Sequence, residues 1–548
     1  MMRRVRSLRR LPVLLLGVLL AIVPAATATA ETHVYGEVAI YSYDDQDVSK
    51  VSMSGDLLAV SRTGRAVEVM RVDDTGAKLD SDTVPAPEGM TRFGYSIAID
   101  EASGRLFVGT NDSVVLEYVL STGGGGWRWL PGRTFVAAGS SGFGESLSVH
   151  GDRLAVGAYD TDFGAGAAYV IDLGSGAVQR AGVTGLYLTA GMGDEVLLTD
   201  RYLIANAHMI KKWPGDGRSI QTGGVYIWDL ADLSAPLTFL DHPLWGVDVA
   251  EHKTRIYEDA GGTAGFGYQI AVTDDYLWVS SPADINYTSD DLRDPVGGIV
   301  QSALDSGTTT QGAMYRFSLG DFTQVGPRII PPPHEFSMGH NMTAVGNAVL
   351  VSAETNADGR TGRVHVYDAD AIPTTGTPGD LMRQQPEPVQ DLQGSDSRPG
   401  DRFGALYSNG VLAADGGRAI IASKGSAGGS RGKAYLFSPI VPNVVEWPMT
   451  LEAPDIVYGQ EGRVVASVPG LTGPVRVTLA LDGDEREADT NADGVAEFVF
   501  RPAQHPAGTY PAEVSFLARG GLDSGHATGE YVVRKAPTTV VNTKVEVR

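Results

Sequence analysis

The chain has 548 residues, 43% of them hydrophobic, a formal net charge of −23 and no cysteine. A chain without cysteine has no disulfides, thiolate metal ligands or cysteine nucleophiles, and so negative a charge argues against nucleic acid or an anionic membrane surface as partner. Short apolar segments separated by turn residues, among them 69 glycines and 29 prolines, predict an all-β protein. The length is sufficient for a large core and a second domain.

The first 30 residues have the features of a signal peptide. The basic region at the start contains five arginines: Arg3, Arg4, Arg6, Arg9 and Arg10. Residues 11–23 form an apolar run, shorter than a membrane-spanning helix requires, and Ala28-Thr29-Ala30 is a small-residue cleavage site. We therefore expect cleavage after Ala30, no transmembrane segment in the mature chain, and a secreted or cell-surface location.

A repeated unit is clearest in residues 143–171, FGESLSVHGDRLAVGAYDTDFGAGAAYVI. It contains a Phe-Gly opening, a strand, a Gly-Asp turn, a second strand, a polar loop and a third strand. A sheet this small cannot bury both of its faces, so stability requires several copies packed side by side. Residues 33–43 alternate like a strand before the first copy. We expect this segment to complete the last copy and thereby cover open sheet edges.

Seven copies of this unit follow one another, some of them eroded. Their openings lie at Asp47-Val48, Phe93-Gly94, Phe143-Gly144, Met192-Gly193, Phe266-Gly267, Met338-Gly339 and Phe403-Gly404, between 46 and 74 residues apart. Four short strands repeated every 40 to 50 residues or so are typical of β-propeller blades. The sequence therefore predicts a seven-bladed β-propeller over residues 31–438, with loop insertions where the spacing is longer.

The repeats resemble FG-GAP repeats, the module of the integrin α-subunit N-terminal propeller. The Phe-Gly openings and the second-strand sequence LAVGA at residues 154–158 carry the resemblance. In that family, a D-x-D-x-D-G loop between the first and second strands binds calcium. Here the loop is only His150-Gly151-Asp152, which offers too few oxygen ligands. We therefore expect no calcium at the positions the family uses, and no cofactor.

The fourth and fifth copies carry the longest insertions, at residues 209–222 and 282–311, and residues 229–265 join the two copies. In a propeller, second-to-third loops and blade-to-blade loops emerge on one face. The candidate ligand residues on that face are Lys211, Lys212, Trp213, Trp245, Tyr287, Asp290, Asp291 and Arg293. Aromatic and charged side chains on protruding loops are typical of a binding surface. The alternative is that these side chains pack on the stems of their own loops.

A second domain follows the propeller. Residues 439–448 form a proline-punctuated linker, and residues 449–535 contain about seven short strands separated by turn signals. This region resembles a bacterial immunoglobulin-like repeat, through residues 457–460, the ADGVAEF segment and residues 507–510. The tail at residues 536–548 is similar to the start of a further copy. We expect the immunoglobulin-like domain to act as a stalk.

Three groups of acidic residues are weak candidates for binding a metal such as calcium. They are Asp160 and Asp162; Glu354, Asn356 and Asp358; and Asp489, Asn491 and Asp493. Asn, Asp and Gly are also the residues that a tight hairpin turn requires, and an apolar strand follows the last group at once. We therefore favour turns over metal sites.

The leading functional hypothesis is a non-enzymatic, secreted binding or adhesion protein that recognises a protein or glycan through the loop-rich face. One alternative is an extracellular polysaccharide-processing enzyme, a lyase or hydrolase, with acidic residues from different blades on that face. Another is a structural surface component. A cleft with at least two carboxylates of perturbed pKa would favour the enzyme, whereas a flat aromatic and charged surface would favour binding.

Overall fold

The computed structural model describes most of the chain after the first 33 residues. The described residues are 34–43, 48–62, 64–110, 112–123, 126–183, 189–212, 220–243, 263–284, 312–332, 335–355, 362–376, 386–398, 400–404, 410–423, 432–439, 445–470, 475–482, 484–491, 493–518 and 523–537. Within them, nearly all regular structure is β-strand, and the exception is one four-residue helical turn. The protein is therefore all-β, as predicted.

Small, mostly antiparallel sheets fill the described part of the chain before residue 440, and we number them 1 to 7 in chain order. An N-terminal strand, β1 (Tyr35–Tyr43), precedes them. Sheet 1 contains β2 (Val48–Ser54), β3 (Leu57–Arg62), β4 (Ala66–Val72) and β5 (Lys78–Pro85). Sheet 2 contains β6 (Ser96–Asp100), β7 (Arg105–Gly109), β8 (Val115–Ser121) and β9 (Arg128–Phe135). Sheet 3 contains β10 (Phe143–His150), β11 (Arg153–Ala158), the turn α1 (Thr161–Gly164), β12 (Ala168–Asp172) and β13 (Val178–Arg180).

The remaining four sheets follow the same plan, with additional strands in sheets 4 and 6 and three strands of their own in the described parts of sheets 5 and 7. Sheet 4 contains β14 (Val196–Leu198), β15 (Tyr202–Asn206), β16 (Lys211–Lys212), β17 (Ile220–Asp229), β18 (Thr238–Asp241) and β19 (Thr263–Phe266). Sheet 5 contains β20 (Ile270–Val272), β21 (Tyr276–Ser281) and β22 (Ala313–Ser318). Sheet 6 contains β23 (Glu335–Phe336), β24 (Met342–Val345), β25 (Ala348–Thr355), β26 (Arg363–Asp368) and β27 (Gln390–Leu392). Sheet 7 contains β28 (Leu412–Asp415), β29 (Arg418–Ser423) and β30 (Gly432–Pro439).

The N-terminal strand β1 completes sheet 7. It pairs antiparallel with β30, with Ile40 opposite Tyr435, so the strand order is β1-β30-β29-β28. The position that the sequence predicted for this segment is thus confirmed. The pairing covers the outer edge of β30, which would otherwise present unpaired backbone groups.

The first strands of successive sheets contact one another. These contacts run from β2 to β6, β10, β14, β20, β24 and β28, and β28 in turn contacts β2. The apolar core lies between neighbouring sheets: Phe107 of sheet 2 packs in one cluster with Phe143 and Val156 of sheet 3. The series of sheet-to-sheet contacts therefore closes on itself.

The Phe-Gly openings hold each sheet both internally and against its neighbour. The buried Phe143 ring meets Tyr169 of β12 edge-to-face, with ring centroids 5.3 Å apart. Gly144 has a φ of +100°, which favours glycine. The Gly144 carbonyl accepts a hydrogen bond of 2.6 Å from the Ser96 hydroxyl of sheet 2. The equivalent bonds are Ser61 to Gly94, Ser146 to Gly193 and Ser280 to Gly339.

A second glycine, just before the third strand, fixes how successive sheets align. Gly166 forms a parallel bridge with Met192, the opening residue of the next sheet. A Cβ at Gly166 would lie 2.1 Å from the Met192 carbonyl oxygen. Gly223 with Phe266, and Gly312 with Met338, repeat the arrangement. We call the end of each sheet at which the first and third strands begin the opening edge. These bridges place the opening edges of sheets 3 to 6 on one side.

The C-terminal region contains two further sheets around a common core. Its strands are β31 (Val445–Glu446), β32 (Thr450–Glu452), β33 (Ile456–Val457), β34 (Gly462–Ser467), β35 (Arg476–Leu481), β36 (Asp484–Asp489), β37 (Val495–Phe500), β38 (Gly508–Ala518) and β39 (Asp523–Arg534). One sheet has the order β31-β39-β38-β35-β36, with β33 also pairing with β39, and the other has the order β32-β34-β37. Val477 and Val514 of the first sheet pack with Phe498 of the second.

Candidate functional site

Five polar side chains come together at the opening edge, and we call them the opening cluster: Lys50, Tyr95, Glu145, Asp194 and Glu195. Tyr95, Glu145 and Asp194 each directly follow a Phe-Gly or Met-Gly opening. The Lys50 ammonium lies 5.8 Å from the centroid of the Tyr95 ring, and the Tyr95 hydroxyl donates a hydrogen bond to the Glu145 carboxylate. The cluster joins side chains from sheets 1 to 4, because the first strands of these sheets are neighbours.

The two glutamates of the cluster hold their protons unusually tightly. Burial raises the pKa of Glu145 to about 7, and the nearby carboxylates of Asp194 and Asp160 add to the effect. Burial likewise raises the pKa of Glu195 to about 8, although the Lys50 ammonium opposes this shift. Both carboxyl groups therefore exchange protons near neutral pH, which is a property of groups that bind or react with ligands.

Lys50 is the cation that faces these carboxylates. Burial lowers the pKa of Lys50 even though Glu195, Asp194 and Glu145 all raise it. The Lys50 stem lies against Gly410, where an added Cβ would approach the stem within 3.0 Å. Lys50 and Glu195 keep some contact with solvent. The protein atoms around them nevertheless exclude enough water that desolvation is the largest cause of both pKa shifts. The environment thus disfavours the charged forms of both residues.

Four aromatic and imidazole rings form a row beside the cluster, which we call the aromatic row: Tyr159, His208, Tyr268 and His340. The centroid distances along the row are 6.4 Å, 5.2 Å and 5.0 Å. All four side chains are half-buried, and they come from sheets 3 to 6 in turn. His208 Nδ1 lies 3.8 Å from Asp194 Oδ2, which connects the row to the opening cluster.

The two histidines of the row are neutral at ordinary pH. Burial lowers the pKa of His208, although Asp194 opposes this effect. Burial also lowers the pKa of His340, to about 4. A row of uncharged rings next to titrating carboxyl groups offers apolar ring surface and hydrogen-bonding groups side by side.

The long insertions of sheets 4 and 5 leave from the same edge. The chain enters the first insertion after β15 and β16 and returns at β17. It enters the second after Asp284 and returns at Gly312, whose N–H donates to the Asp284 carbonyl at 3.1 Å. Both places lie between a second and a third strand, and so at the opening edge. The described residues at which both insertions begin and end therefore lie at the same edge as the candidate site.

Two of the predicted ligand residues lie in the described part of the chain. Lys211 and Lys212 form β16, opposite Gln221 and Ile220. The half-buried Lys212 ammonium pairs with Asp241 of β18, and burial lowers the pKa of Lys212. For Lys212 this geometry favours the second interpretation given above, in which the side chain packs against the strands that flank its own loop and does not face a ligand. The other six lie outside the described residues: Trp213, Trp245, Tyr287, Asp290, Asp291 and Arg293.

The structure separates two of the acidic metal candidates. Asp160 is exposed next to the opening cluster and acts on Glu145, whereas Asp162 pairs with Arg180. Glu354 is buried in β25. Asn356 and Asp358 lie outside the described residues.

The third group forms a turn with its own hydrogen bonds. Asn491 Oδ1 accepts the N–H groups of Asp493 and Val495 at 2.9 Å and 3.0 Å, and Asp489 accepts from Arg476 Nε at 3.2 Å. These bonds use oxygen atoms that a cation would require. Among the described residues, no group of three or more acidic or histidine side chains is arranged to hold a metal ion.

A different buried charge cluster lies in sheet 6. His365 lies in the third strand, β26, at the position that Tyr169 has in the third strand of sheet 3. The His365 ring is fully buried. His365 Nδ1 lies 2.6 Å from Asp391 Oδ1, and Nε2 hydrogen-bonds with Glu335. Burial alone lowers the pKa of His365, but Glu335 and Asp391 outweigh it and raise that pKa to about 10. Each charge here has a partner within the fold, so this cluster is structural.

Sequence reasoning missed the opening cluster and the aromatic row. Their common signal is the residue that follows the opening pair of sheets 2 to 6: Tyr95, Glu145, Asp194, Tyr268 and His340. Polar and aromatic residues replace one another in this column, directly beside buried apolar positions. Aligning the repeats and examining that column would have singled out these five residues, whereas Lys50, Tyr159, Glu195 and His208 lie outside it.

Comparisons with known proteins add little. No family model and no curated protein matches the chain. Among solved structures, Raptor from Chaetomium thermophilum shares 12% identity at a TM-score of 0.43, covering 74% of this chain and 29% of that one. A computationally designed protein, Ika8, shares 13% identity at a TM-score of 0.36, covering 73% and 99%. The chain thus spans less than a third of the Raptor chain, and neither likeness bears on function.

No helix in the described residues is long and apolar enough to cross a membrane.

Proposed function

We propose that sheets 1 to 7 form a seven-bladed β-propeller of the FG-GAP type, followed by an immunoglobulin-like domain. The closed series of contacts between first strands supports the propeller, as does the pairing of β1 with β30. The two sheets around the Val477 core support the second domain. A signal peptide at residues 1–30 would deliver the protein to the cell surface or outside the cell.

The function best supported by the geometry is binding of a glycan at the opening edge. The observation that carries this proposal is the aromatic row beside the opening cluster. Sugar rings present C–H faces that pack on aromatic rings, and their hydroxyl groups bond to carboxyl groups such as Glu145. Half-buried rings with a few polar groups are the usual composition of a small-ligand site.

A glycan array probed with the mature chain, residues 31–548, tests this function. We expect one class of glycan to bind the wild-type protein. Tyr268→Ala should weaken that binding about three- to tenfold, since stacking on one ring contributes on the order of 0.5–1.5 kcal/mol. Tyr458→Ala is the matched control, because Tyr458 is 45% exposed in the C-terminal region.

An equal loss of glycan binding in Tyr268→Ala and Tyr458→Ala would contradict the proposal, and so would the absence of glycan binding by the wild-type protein. If a panel of extracellular proteins binds instead, in a manner sensitive to Tyr268→Ala, the site recognises protein. If neither class binds, the structural-component alternative is favoured.

One observation favours a second candidate, a polysaccharide-processing enzyme. Glu145 and Glu195 have pKa values raised to about 7 and about 8 within one cluster. A carboxyl group with such a pKa can donate or accept a proton near neutral pH, which is the role of a general acid or base. Glu145, which Tyr95 orients, would be the proton-transferring group.

Incubation of the array hits with the protein separates binding from catalysis. An enzyme would release new reducing ends, and a lyase would in addition produce an unsaturated product that absorbs ultraviolet light. Glu145→Gln would then lower the rate about a hundredfold or more while binding persisted. Intact glycans after long incubation would reject the enzyme and leave the binding function standing.

A further inference from the structure

An ion pair connects sheet 6 to the C-terminal region. Arg363, the first residue of β26, donates from Nη2 to Glu487 Oε1 of β36 at 3.0 Å. The two residues are 124 positions apart in sequence. The side chains are only 28% and 17% exposed, so the pair lies in a contact between the two parts of the chain and not on an open surface.

Sheet 6 fixes the Arg363 side chain before it reaches Glu487. Arg363 Nη1 lies 3.9 Å from Glu335 Oε1 and 3.8 Å from Asp391 Oδ2. These two carboxylates also enclose the buried His365. The guanidinium is thus oriented by groups that His365 itself holds in place.

The C-terminal side of the contact is fixed in a similar way. Arg476 of β35 places Nη1 at 3.7 Å from Glu487 Oε2, and its Nε donates to Asp489 Oδ1 at 3.2 Å. Glu487 and Asp489 lie on the same face of β36, because side chains alternate along a strand. Glu487 therefore stands between two arginines, one from each part of the chain.

Because neighbouring charges already orient both side chains, this ion pair can stabilise the contact more than an isolated pair would. An isolated surface pair stabilises little, because two long side chains must be ordered to form it. Here Arg363 and Glu487 are already ordered by their own domains, so less side-chain entropy is lost when they meet. A network of charges in partly buried surroundings is also screened less by salt than an exposed pair.

We propose that the C-terminal domain is docked on sheet 6 through the Arg363–Glu487 pair and holds one orientation. The parts of the chain before and after residues 439–448 then keep one orientation relative to each other. The sequence-based expectation of a stalk after a linker left this orientation open. The inference is independent of any ligand at the opening cluster.

The full-length mature chain offers a direct test, because it contains no cysteine. Asp152→Cys in the β10–β11 turn and Glu461→Cys before β34 introduce two exposed sites for spin labels, one in each part. Pulsed electron paramagnetic resonance then measures the distribution of distances between them. We expect a single narrow distribution, and Glu487→Lys should broaden it about twofold or more, since it places a third cation between two arginines.

Glu485→Lys is the matched control. Glu485 lies two residues earlier on the same face of β36 and is exposed, and the same change of charge there should leave the distribution narrow. Glu487→Gln, which keeps the size of the side chain, should give an intermediate width. Circular dichroism and thermal melting check that every variant is folded.

Two results would overturn the proposal. A broad distribution in the labelled protein without further substitution would show that the domain turns on its linker. A distribution that stays narrow in both Glu487→Lys and Glu487→Gln would show that other contacts set the orientation.

Discussion

The opening cluster and the His365 cluster of sheet 6 both contain several ionisable groups. The pKa shifts favour the charged forms in the His365 cluster and the neutral forms in the opening cluster. In sheet 6, two carboxylates raise the pKa of His365 to about 10 in spite of its burial. The pKa of Asp391 is lowered: burial raises it, but the hydrogen bond and charge of His365 outweigh that. In the opening cluster, burial raises the pKa of Glu145 and lowers the pKa of Lys50. One environment favours the charged forms, and the other disfavours them.

The difference lies in how completely the fold itself pairs each charge. His365 has a carboxylate on each ring nitrogen. Around the opening cluster, by contrast, the carboxylates that act on one another are Glu145, Asp160, Asp194 and Glu195, and Lys50 is the cation that faces them. Internal pairing serves stability, whereas carboxyl groups such as Glu145 and Glu195, whose charged forms burial disfavours, are suited to an external partner. The first four of the five predictions below test this distinction.

The largest expected effect comes from His365→Ala. Removing the imidazolium leaves the buried Glu335 and the half-buried Asp391 without the cation that bonds to both, and only Arg363 Nη1 stays within 4 Å of them among the described cations. This should lower the free energy of unfolding by about 3 kcal/mol. Urea denaturation at pH 7 measures the change. His150→Ala is the control, since His150 is half exposed and pairs with the exposed Asp200; we expect a loss of less than about 0.5 kcal/mol there.

The same cluster also predicts a pH dependence. The folded pKa of His365, about 10, lies above the ordinary value of 6.5. The stabilisation is therefore complete below pH 6.5 and is lost as pH rises towards 10. The slope of the free energy of unfolding over this window should be smaller in His365→Ala, because the contribution of His365 is absent there. An unchanged slope would mean that His365 is not charged in the fold.

Lys50→Met should have a smaller effect that depends on pH. At pH 8.5 it removes the cation that faces Glu145 and Glu195, and we expect a loss of about 2 kcal/mol. At pH 5 both carboxyl groups are protonated, so the loss should be less than about 1 kcal/mol. Denaturation at the two pH values measures the difference. Equal losses would indicate that Lys50 contributes through packing alone.

Glu145→Gln should stabilise the protein slightly. The folded pKa of Glu145, about 7, exceeds the ordinary value of 4.5. Folding is therefore favoured below pH 4.5, and this contribution is lost as pH rises through 7. The substitution should raise the free energy of unfolding by about 1 kcal/mol at pH 8, after allowance for solvent screening, and remove part of the slope between pH 4.5 and 7. Destabilisation at pH 8 would place Glu145 with the internally paired charges.

The smallest expected effect is that of a chelator. The side-chain oxygen of Asn491 accepts hydrogen bonds from two backbone N–H groups, and Asp489 accepts one from Arg476. Excess EDTA should therefore change the melting temperature by less than about 1 °C, because a ligand that is not bound cannot stabilise the fold. A larger decrease in melting temperature that added Ca²⁺ reverses would contradict this expectation and indicate a bound cation.

Local chemistry made much of the fold predictable. The strands around Gly151-Asp152 and the alternation of residues 33–43 follow from turn preferences and period-two patterning, which act over a few residues. The Phe-Gly opening is also local in origin: the Phe143 ring packs within its own sheet, and Gly144 supplies a positive φ. Repetition of this unit then implied the number of sheets and the role of β1.

The candidate site could not be obtained in the same way. Lys50 and Glu195 are far apart in sequence and come together because first strands from different sheets are neighbours. Asp160 and Asp162, two residues apart, face different partners. The sequence by itself therefore determined the β class, the repeat and the strand order, since these depend on short-range preferences. Only the tertiary structure decided which charges meet, because burial and pairing depend on neighbours that are distant along the chain.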